Sequence, residues 1–398
     1  MSSEETILDF PMPRESPFDP PPQILDLLEN RPISKVRLWN GQEAWLVTRY
    51  EDVKAVLTNK AFSSDVRTPG YPKVSASLAT FTEGLLNHMD PPEHDEYRRM
   101  LAPEFMVKRI ERLRPEVQAI VDELIDAMLE HGAPVDLISA LAFPVPARVT
   151  CAMLGIPFDD QAFFVSCAET FLGGTASAEE TAAAQADLFV YLGKLIAEKT
   201  TEPTDDVLGY MASEHVKRGA ISTEALTTIA MLILIAGFDT TANMIGLGLL
   251  TLMQHPDQLE LLKREPDLIP GAAEELLRFL TITHRGRHKA ALEDVEIGGQ
   301  LIRAGEGVIA AQDAADRDAS VFEDPNTLDV RREARNHLAF GHGVHQCLGA
   351  ALARIELQVS YETVLRRLPD IRLAVGLDEI EFKHEASVYG IRNMPVVW

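Results

Sequence analysis

The chain has 398 residues, of which 46% are hydrophobic and 25% charged, an ordinary globular composition. Its formal charge of −24 argues against nucleic acid or anionic lipid as a partner. Three widely spaced cysteines, Cys151, Cys167 and Cys347, give neither an even disulfide framework nor paired metal-site spacing.

The N-terminal segment is acidic and Pro-rich, without the basic start and apolar core of a signal peptide. The most apolar stretch, 229–238, is about half the ~20 residues needed to span a bilayer. A cytoplasmic protein with no membrane segment is therefore expected. No linker, low-complexity tract or repeat marks a boundary, so residues 1–398 read as a single domain.

Apolar residues alternate on either side of Asn40-Gly41, which predicts a β-hairpin. In the run D-P-P-E-H-D-E-Y-R, His94 and Arg98 stand at i and i+4 on a helix that Pro91 and Pro92 could begin. Residues 98–114 carry six basic and two acidic side chains, either a solvated helix face or a docking patch for an acidic partner. Apolar residues at helical spacing (Ile110, Leu113, Val117, Ile120, Val121, Leu124, Met128) predict a helix over 109–130, ended at His131-Gly132. Residues 222–254 predict a long helix, apolar nearly all round and hence internal.

That helix is interrupted by Ala236-Gly237-Phe238-Asp239-Thr240-Thr241. A buried acid and hydroxyl cost stability. The bland reading has Thr240 bonding back to a carbonyl one turn earlier and Asp239 meeting an Arg or Lys. Glu275 and Arg278 lie at i, i+3 in a helical context, where they can pair. Residues 295–302 suggest a second small strand pair, and 348–368 a final helix. The chain reads as mostly α with minor β.

The most informative stretch is Phe340-Gly341-His342-Gly343-Val344-His345-Gln346-Cys347-Leu348-Gly349. Glycines allow backbone conformations other residues resist, and a cysteine just before a long helix is placed where N–H groups and the helix dipole stabilise a thiolate. A lone cysteine is more often a small buried hydrophobe, but F-G-x-G-x-H-x-C-x-G fixes six positions. This loop resembles the haem-binding loop of the cytochrome P-450 superfamily and matches it at every position. The segment order along the chain is similar to that of the soluble bacterial, class I members.

The resemblance implies a triangular, mostly helical fold with a small β-sheet region, and haem b (iron protoporphyrin IX) between the central helix and the cysteine loop. Cys347 would ligate the iron, with Phe340, Gly341 and Gly349 shaping its loop. Ala236 and Gly237 would give the haem room, and Asp239 and Thr240 would relay protons to bound dioxygen. Glu275, Arg278 and Arg332 would form a structural triad, with Arg331 as the fallback for Arg332. His94, Arg98 and His345 would contact the haem propionates. Many relatives have Arg where Lys289 stands, and Arg287 could substitute.

The implied activity is a monooxygenase that inserts one atom of O2 into a small organic molecule by hydroxylation or epoxidation. With no nucleotide fingerprint in the chain, electrons would come from NAD(P)H through a reductase and a ferredoxin. Arg99, Lys108, Arg109 and Arg112 are the docking candidates, and a monomer is expected. The alternatives are a fungal-type nitric oxide reductase fed directly by NADH, peroxide-driven chemistry, or a non-catalytic haem protein; the Asp239–Thr240 pair argues against each. The substrate is not readable. Pocket regions carried over from relatives are 68–86, 163–181, 234–238, 281–288 and 387–391, with Leu85, Phe238, Thr283 and Val388 as candidate walls. One charge of the basic run Thr283-His284-Arg285-Gly286-Arg287-His288 could meet a polar substrate group.

Overall fold

A computed structural model describes residues 7–74, 85–172 and 177–398. The pocket regions expected at 68–86 and 163–181 therefore lie partly outside the described residues. The longer helices among the described residues, in chain order, are α1 (Pro22–Asn30), α2 (Tyr50–Thr58), α3 (Glu93–Leu101), α4 (Arg114–His131), α5 (Pro144–Leu154), α6 (Gln161–Leu172), α7 (Ala178–Thr201), α8 (Thr223–Gln254), α9 (Pro256–Arg264), α10 (Ile269–Leu280) and α11 (Ala350–Arg367). The strands are β1 (Leu8–Phe10), β2 (Ile33–Leu38), β3 (Glu43–Val47), β4 (Phe62–Ser63), β5 (Val135–Asp136), β6 (Arg287–Ala291), β7 (Val295–Ile297), β8 (Gln300–Ile302), β9 (Gly307–Ala310), β10 (Arg372–Leu373) and β11 (Pro395–Val397). The chain forms two compact units, one of residues 1–95, 254–347 and 382–390, the other of 96–253, 348–381 and 391–398.

The first unit is built on a six-stranded sheet in the order β1-β2-β3-β9-β6-β4. Its β2–β3 hairpin turns at the expected place: Gly41 takes φ +83°, a conformation an L side chain resists, and Asn40 Oδ1 accepts the Gln42 amide. Successive strand residues face opposite sides. Leu46 and Ile309 enter an apolar cluster with Ile24 and Leu27 of α1, while Val47, Val308 and Ala310 enter another with Val53 and Val56 of α2. The second strand pair is β7–β8.

The second unit is helical apart from β10, β11 and β5. The helix expected over 109–130 is divided: Val107–Ile110 is a short helix, Glu111–Leu113 a tighter turn, and α4 starts at Arg114 with Pro115 in its first turn. Proline suits a helix start because φ is preset and its absent N–H would be unbonded there. The core helix α8 runs 32 residues, far beyond the 229–238 stretch; by length and composition it could cross a membrane, and half of its most apolar window is buried. It packs on α11, where Tyr361 Oη donates to the Met244 carbonyl at 2.7 Å. Gly248 permits this approach, since a Cβ there would stand 2.1 Å from that hydroxyl.

Candidate active site

In the first unit, the cysteine loop is folded by its own backbone. The Gly341 amide bonds Leu338 O, Gln346 N bonds Gly343 O, and Cys347 N closes back on Phe340 O at 2.8 Å. Gly341 and Gly343 take φ +72° and +74°, and a Cβ on Gly343 would also stand 3.0 Å from the Leu57 carbonyl. The thiol is half-buried and free of any disulfide, three residues before α11 begins. A cysteine presented on a rigid loop ahead of a helix start is the arrangement a metal-binding thiolate needs.

The loop is anchored to the buried Glu275–Arg278 pair. Arg278 Nε and Nη2 grip the Glu275 carboxylate at 2.7 and 2.8 Å, and Nη1 donates to the carbonyls of Asp316 and Pro325. Arg332 Nε adds a bond to Glu275 at 3.1 Å, so the expected triad forms; Arg331 instead pairs with Glu265 on the surface. Asp316, which sequence reasoning passed over, carries the connection onward. Its carboxylate accepts the Leu338 amide at 2.6 Å and the Thr281 hydroxyl at 2.8 Å. Burial pushes Asp316 up to about 6, opposed by His337 and these hydrogen bonds.

The structure brings His94 and His345 together, their ring centroids 4.2 Å apart. His94 is buried, with Nδ1 3.1 Å from Asp95, and Arg98 lies half-buried one turn along α3. Arg287 and Lys289 occupy alternate positions of β6 and so share a face. Lys289 is 5% exposed, its Nζ 2.6 Å from Ser64 Oγ. Burial pushes this ammonium down to about 8, with Asp90 acting in the opposite sense. A buried cation, a buried imidazole and a half-buried one are donors of the kind that suit an anion.

In the second unit, α8 is buried throughout from Thr241 to Leu252, whereas Leu232, Ile233, Ile235, Ala236, Gly237, Asp239 and Thr240 are less enclosed, with Ala236 the most exposed. Of these, Ile233, Ala236, Gly237 and Thr240 share one helix face. Gly237 has a packing reason of its own, because a Cβ would stand 2.9 Å from Thr150 Oγ1. Thr240 Oγ1 donates to Ala236 O at 2.7 Å, the back-bond of the bland reading. Asp239 is met by a neutral partner: Asn243 Nδ2 donates to its carbonyl and to Oδ1, both at 2.8 Å. The i, i+4 spacing of Asp239 and Asn243 was the signal available for that pair.

Among the pocket candidates, Leu85 is buried, Val388 half-buried, and Thr283 Oγ1 enclosed without a hydrogen-bond partner among the described residues. Phe238 is 0% exposed, edge-on to Phe143 and Phe164, and belongs to the helical core rather than to a free wall. In the basic run, His284 Nε2 meets Ala386 O and Arg285 donates to Glu385 O, so both hold the 382–390 loop in place. In the basic run 98–114, Arg109 is bound by Glu104 and Asp205, whereas Arg99, Lys108 and Arg112 are exposed.

The family profile described as Cytochrome P-450 matches residues 16–202 and 171–369. The chain belongs to the cytochrome P-450 family. It is 44% identical to pentalenic acid synthase of Streptomyces avermitilis over 98% of this chain and 97% of that one. It is 40% identical to vitamin D3 dihydroxylase of Streptomyces griseolus over 98% and 96% of the two chains. The crystal structure of GfsF superposes with a TM-score of 0.95 at 43% identity, covering 98% of this chain and all of that one. The protein is thus a haem-dependent P-450 monooxygenase with the P-450 fold. Its own residues suit that group: a thiol on a fixed loop, buried cationic and imidazole donors for carboxylates, and a small-residue strip along α8.

Proposed function

We propose that Cys347 is the axial thiolate, that His94, Arg98, His345 and Lys289 hold the haem carboxylates, and that Asp239 and Thr240 manage protons. The haem, when bound, supplies dioxygen activation and oxygen insertion into an organic substrate. The chain's residues supply the rest. The closed Cys347–Phe340 bond and the two left-handed glycines aim the sulfur and limit its motion. The Thr240 hydrogen is committed to Ala236 O, so its oxygen lone pairs are left to receive a donor from the substrate side. Asn243 Nδ2 donates to one carboxylate oxygen of Asp239 and orients that acid beside Thr240. Electrons would arrive from NAD(P)H through a reductase and an acidic ferredoxin, received at Arg99, Lys108 and Arg112. Residues 1–398 then act as one haem domain, since the family match runs through segments of both units.

The single observation that carries this reading is the cysteine loop, in which the Cys347 amide is bonded to Phe340 O just ahead of a helix start and the loop is braced by Asp316. The reduced protein with carbon monoxide should give the red-shifted Soret band of thiolate ligation, and Cys347→His should lose it while keeping haem. In a reconstituted system, Thr240→Ala should bind haem normally yet divert electrons to hydrogen peroxide by roughly tenfold or more, the scale expected when a positioned proton donor is lost. Unchanged coupling in Thr240→Ala would remove the relay. Titration of the ferric protein with terpenoid acids, secosteroids and macrolides, read as a low-to-high-spin shift, identifies the substrate class.

A further inference from the structure

Three buried polar side chains of the first unit gather without bonding one another. Arg14, on the chain between β1 and α1, is 8% exposed, and its guanidinium sits 4.4 Å over the Tyr389 ring. Its Nη1 donates to Asp19 O at 3.0 Å, whereas Nε and Nη2 have no partner among the described residues. Those two nitrogens form the side-on edge with which a guanidinium takes a carboxylate in two parallel bonds. Asp313, 2% exposed, is the strongest of the charges acting on Arg14, yet no ion pair joins them among the described residues. Its Oδ1 accepts the Ala314 amide at 3.0 Å, and Oδ2 has no partner. Tyr389 Oη, on a residue 1% exposed, is likewise unpartnered.

The neighbouring charges are engaged or face solvent. Arg317 is held by Asp19, Asn326 and the carbonyls of Phe18 and Phe279, and Arg285 donates to Glu385 O. His284 meets Ala386 O, and burial pushes its imidazole down to about 3, so it is neutral; His384 and Glu385 are exposed. Burial pushes Tyr389 up to about 12, so its hydroxyl keeps its proton. Burial also pushes Asp313 up to about 6, against the pull of Arg14 and Arg317. Arg14 is lowered by burial but stays cationic, since a guanidinium keeps its proton in proteins. A buried cation and a buried acid held apart are each costly to enclose. With Asp313 protonated, the unpartnered atoms of the three side chains are donors, and an ionised carboxyl group is an acceptor only, with about four lone-pair positions on its two oxygens.

We propose that Arg14, Asp313 and Tyr389 form a carboxylate-binding site, the anion lying side-on against Arg14 and accepting from the Tyr389 hydroxyl and a protonated Asp313. The filled site then holds one cation against one anion, and a proton from solvent enters with the ligand. Two sources carry this chemistry, a free small carboxylate and the acid end of an organic substrate. The second source rests on the monooxygenase reading above. The Tyr389 amide donates to Ile282 O at 2.9 Å, which ties the site to the two segments that carry the candidate walls Thr283 and Val388.

The test uses the haem-loaded full chain as wild type, Arg14→Gln, Asp313→Asn and Tyr389→Phe, each checked for an intact carbon monoxide spectrum. Equilibrium dialysis against radiolabelled formate at about pH 6 should show one site per chain. Arg14→Gln should weaken it at least tenfold and Tyr389→Phe a few-fold, the scale of a lost charge-assisted pair and of one lost hydrogen bond. Wild-type affinity should be level below about pH 6 and fall about tenfold per pH unit above it, because ionised Asp313 must take up a proton for the anion to enter. Asp313→Asn, whose amide donates without titrating, should bind formate without that slope, which keeps the proposal testable if Arg14→Gln fails to load haem. A matched organic acid and its methyl ester, titrated by the spin-state shift, separate the sources. A preference for the acid that vanishes in Arg14→Gln assigns the site to substrate; equal affinities with formate binding intact assign it to a free ion. Formate binding that is the same in wild type and Arg14→Gln, as at the iron, would overturn the proposal. So would a wild-type affinity indifferent to pH, or the absence of both formate binding and acid preference. Formate dialysis is read without turnover, so failure of the monooxygenase reading leaves this arm standing.

Discussion

Asp316 and Glu356, the latter on α11 and buried, are both enclosed carboxyls held above their ordinary range by burial, yet Asp316 is bonded on both oxygens whereas Glu356 Oε1 has no partner among the described residues. The difference sets a pH dependence. A carboxyl whose folded value is raised binds more protons folded than unfolded, so stability is greatest below the unfolded value and falls as pH climbs to the folded one. For Glu356 that window runs from its ordinary value of 4.5 to about 8. At ~1.4 kcal/mol per pH unit the loss is on the order of a few kcal/mol. Urea unfolding should show wild-type stability declining relative to Glu356→Gln from pH 5 to about 8, because only the wild type carries this raised carboxyl. A second residue-level expectation concerns Gly343. Left-handed φ and a Cβ position 3.0 Å from a carbonyl make Gly343→Ala strained twice over. It should cost about 2 kcal/mol and broaden the Soret band by loosening the cysteine loop.

At the scale of elements, the first unit holds its cysteine loop through a chain of bonds running from α10 to Asp316 and on to Leu338. Arg332 feeds that chain and Arg331 does not, although the two are adjacent. Arg332→Ala removes one charged bond from Glu275, which keeps both of its bonds to Arg278, so it should cost about 1–3 kcal/mol in urea unfolding. Arg331→Ala, breaking an exposed pair with Glu265, should change stability by less than about 1 kcal/mol. The Glu275–Arg278 pair, the β2–β3 hairpin, α8 and α11 were legible in the sequence because each is carried by local spacing or by a contiguous motif, whereas Arg332 came only from the family resemblance. Asp316, Asn243 and Glu356 were not, because a buried polar residue is recognised by its partner and the partners of two of the three lie far along the chain. The break ahead of α4 was missed for a different reason. Ile110, Leu113 and Val117 keep the apolar stripe unbroken through the tighter turn, and only Pro115 records the restart. The reading of Gly237 as space for the haem was incomplete for want of Thr150, a contact no local pattern reports.

For the molecule as a whole, a net charge of −24 bears directly on electron supply. Under the docking proposed above, an acidic ferredoxin would be repelled by the chain at long range and attracted only close to the exposed Arg99, Lys108 and Arg112. Salt separates these two effects. The Debye length is about 30 Å at 0.01 M and about 10 Å at 0.1 M, so modest salt removes the distant repulsion first and leaves contact attraction partly in place. Reduction of the ferric protein by such a ferredoxin, followed by stopped flow, should therefore be fastest at an intermediate ionic strength of about 0.05–0.15 M and slower on either side. Reversing Lys108 and Arg112 to Glu removes the attraction and leaves the repulsion, so the rate should drop at every salt concentration and rise steadily as salt is added. Arg109→Glu should have a smaller effect than either, because Glu104 and Asp205 already neutralise that guanidinium. A rate in wild type that only falls with salt would mean that the local patch outweighs the global charge even at long range. A rate insensitive to all three reversals would move the docking site off residues 98–114.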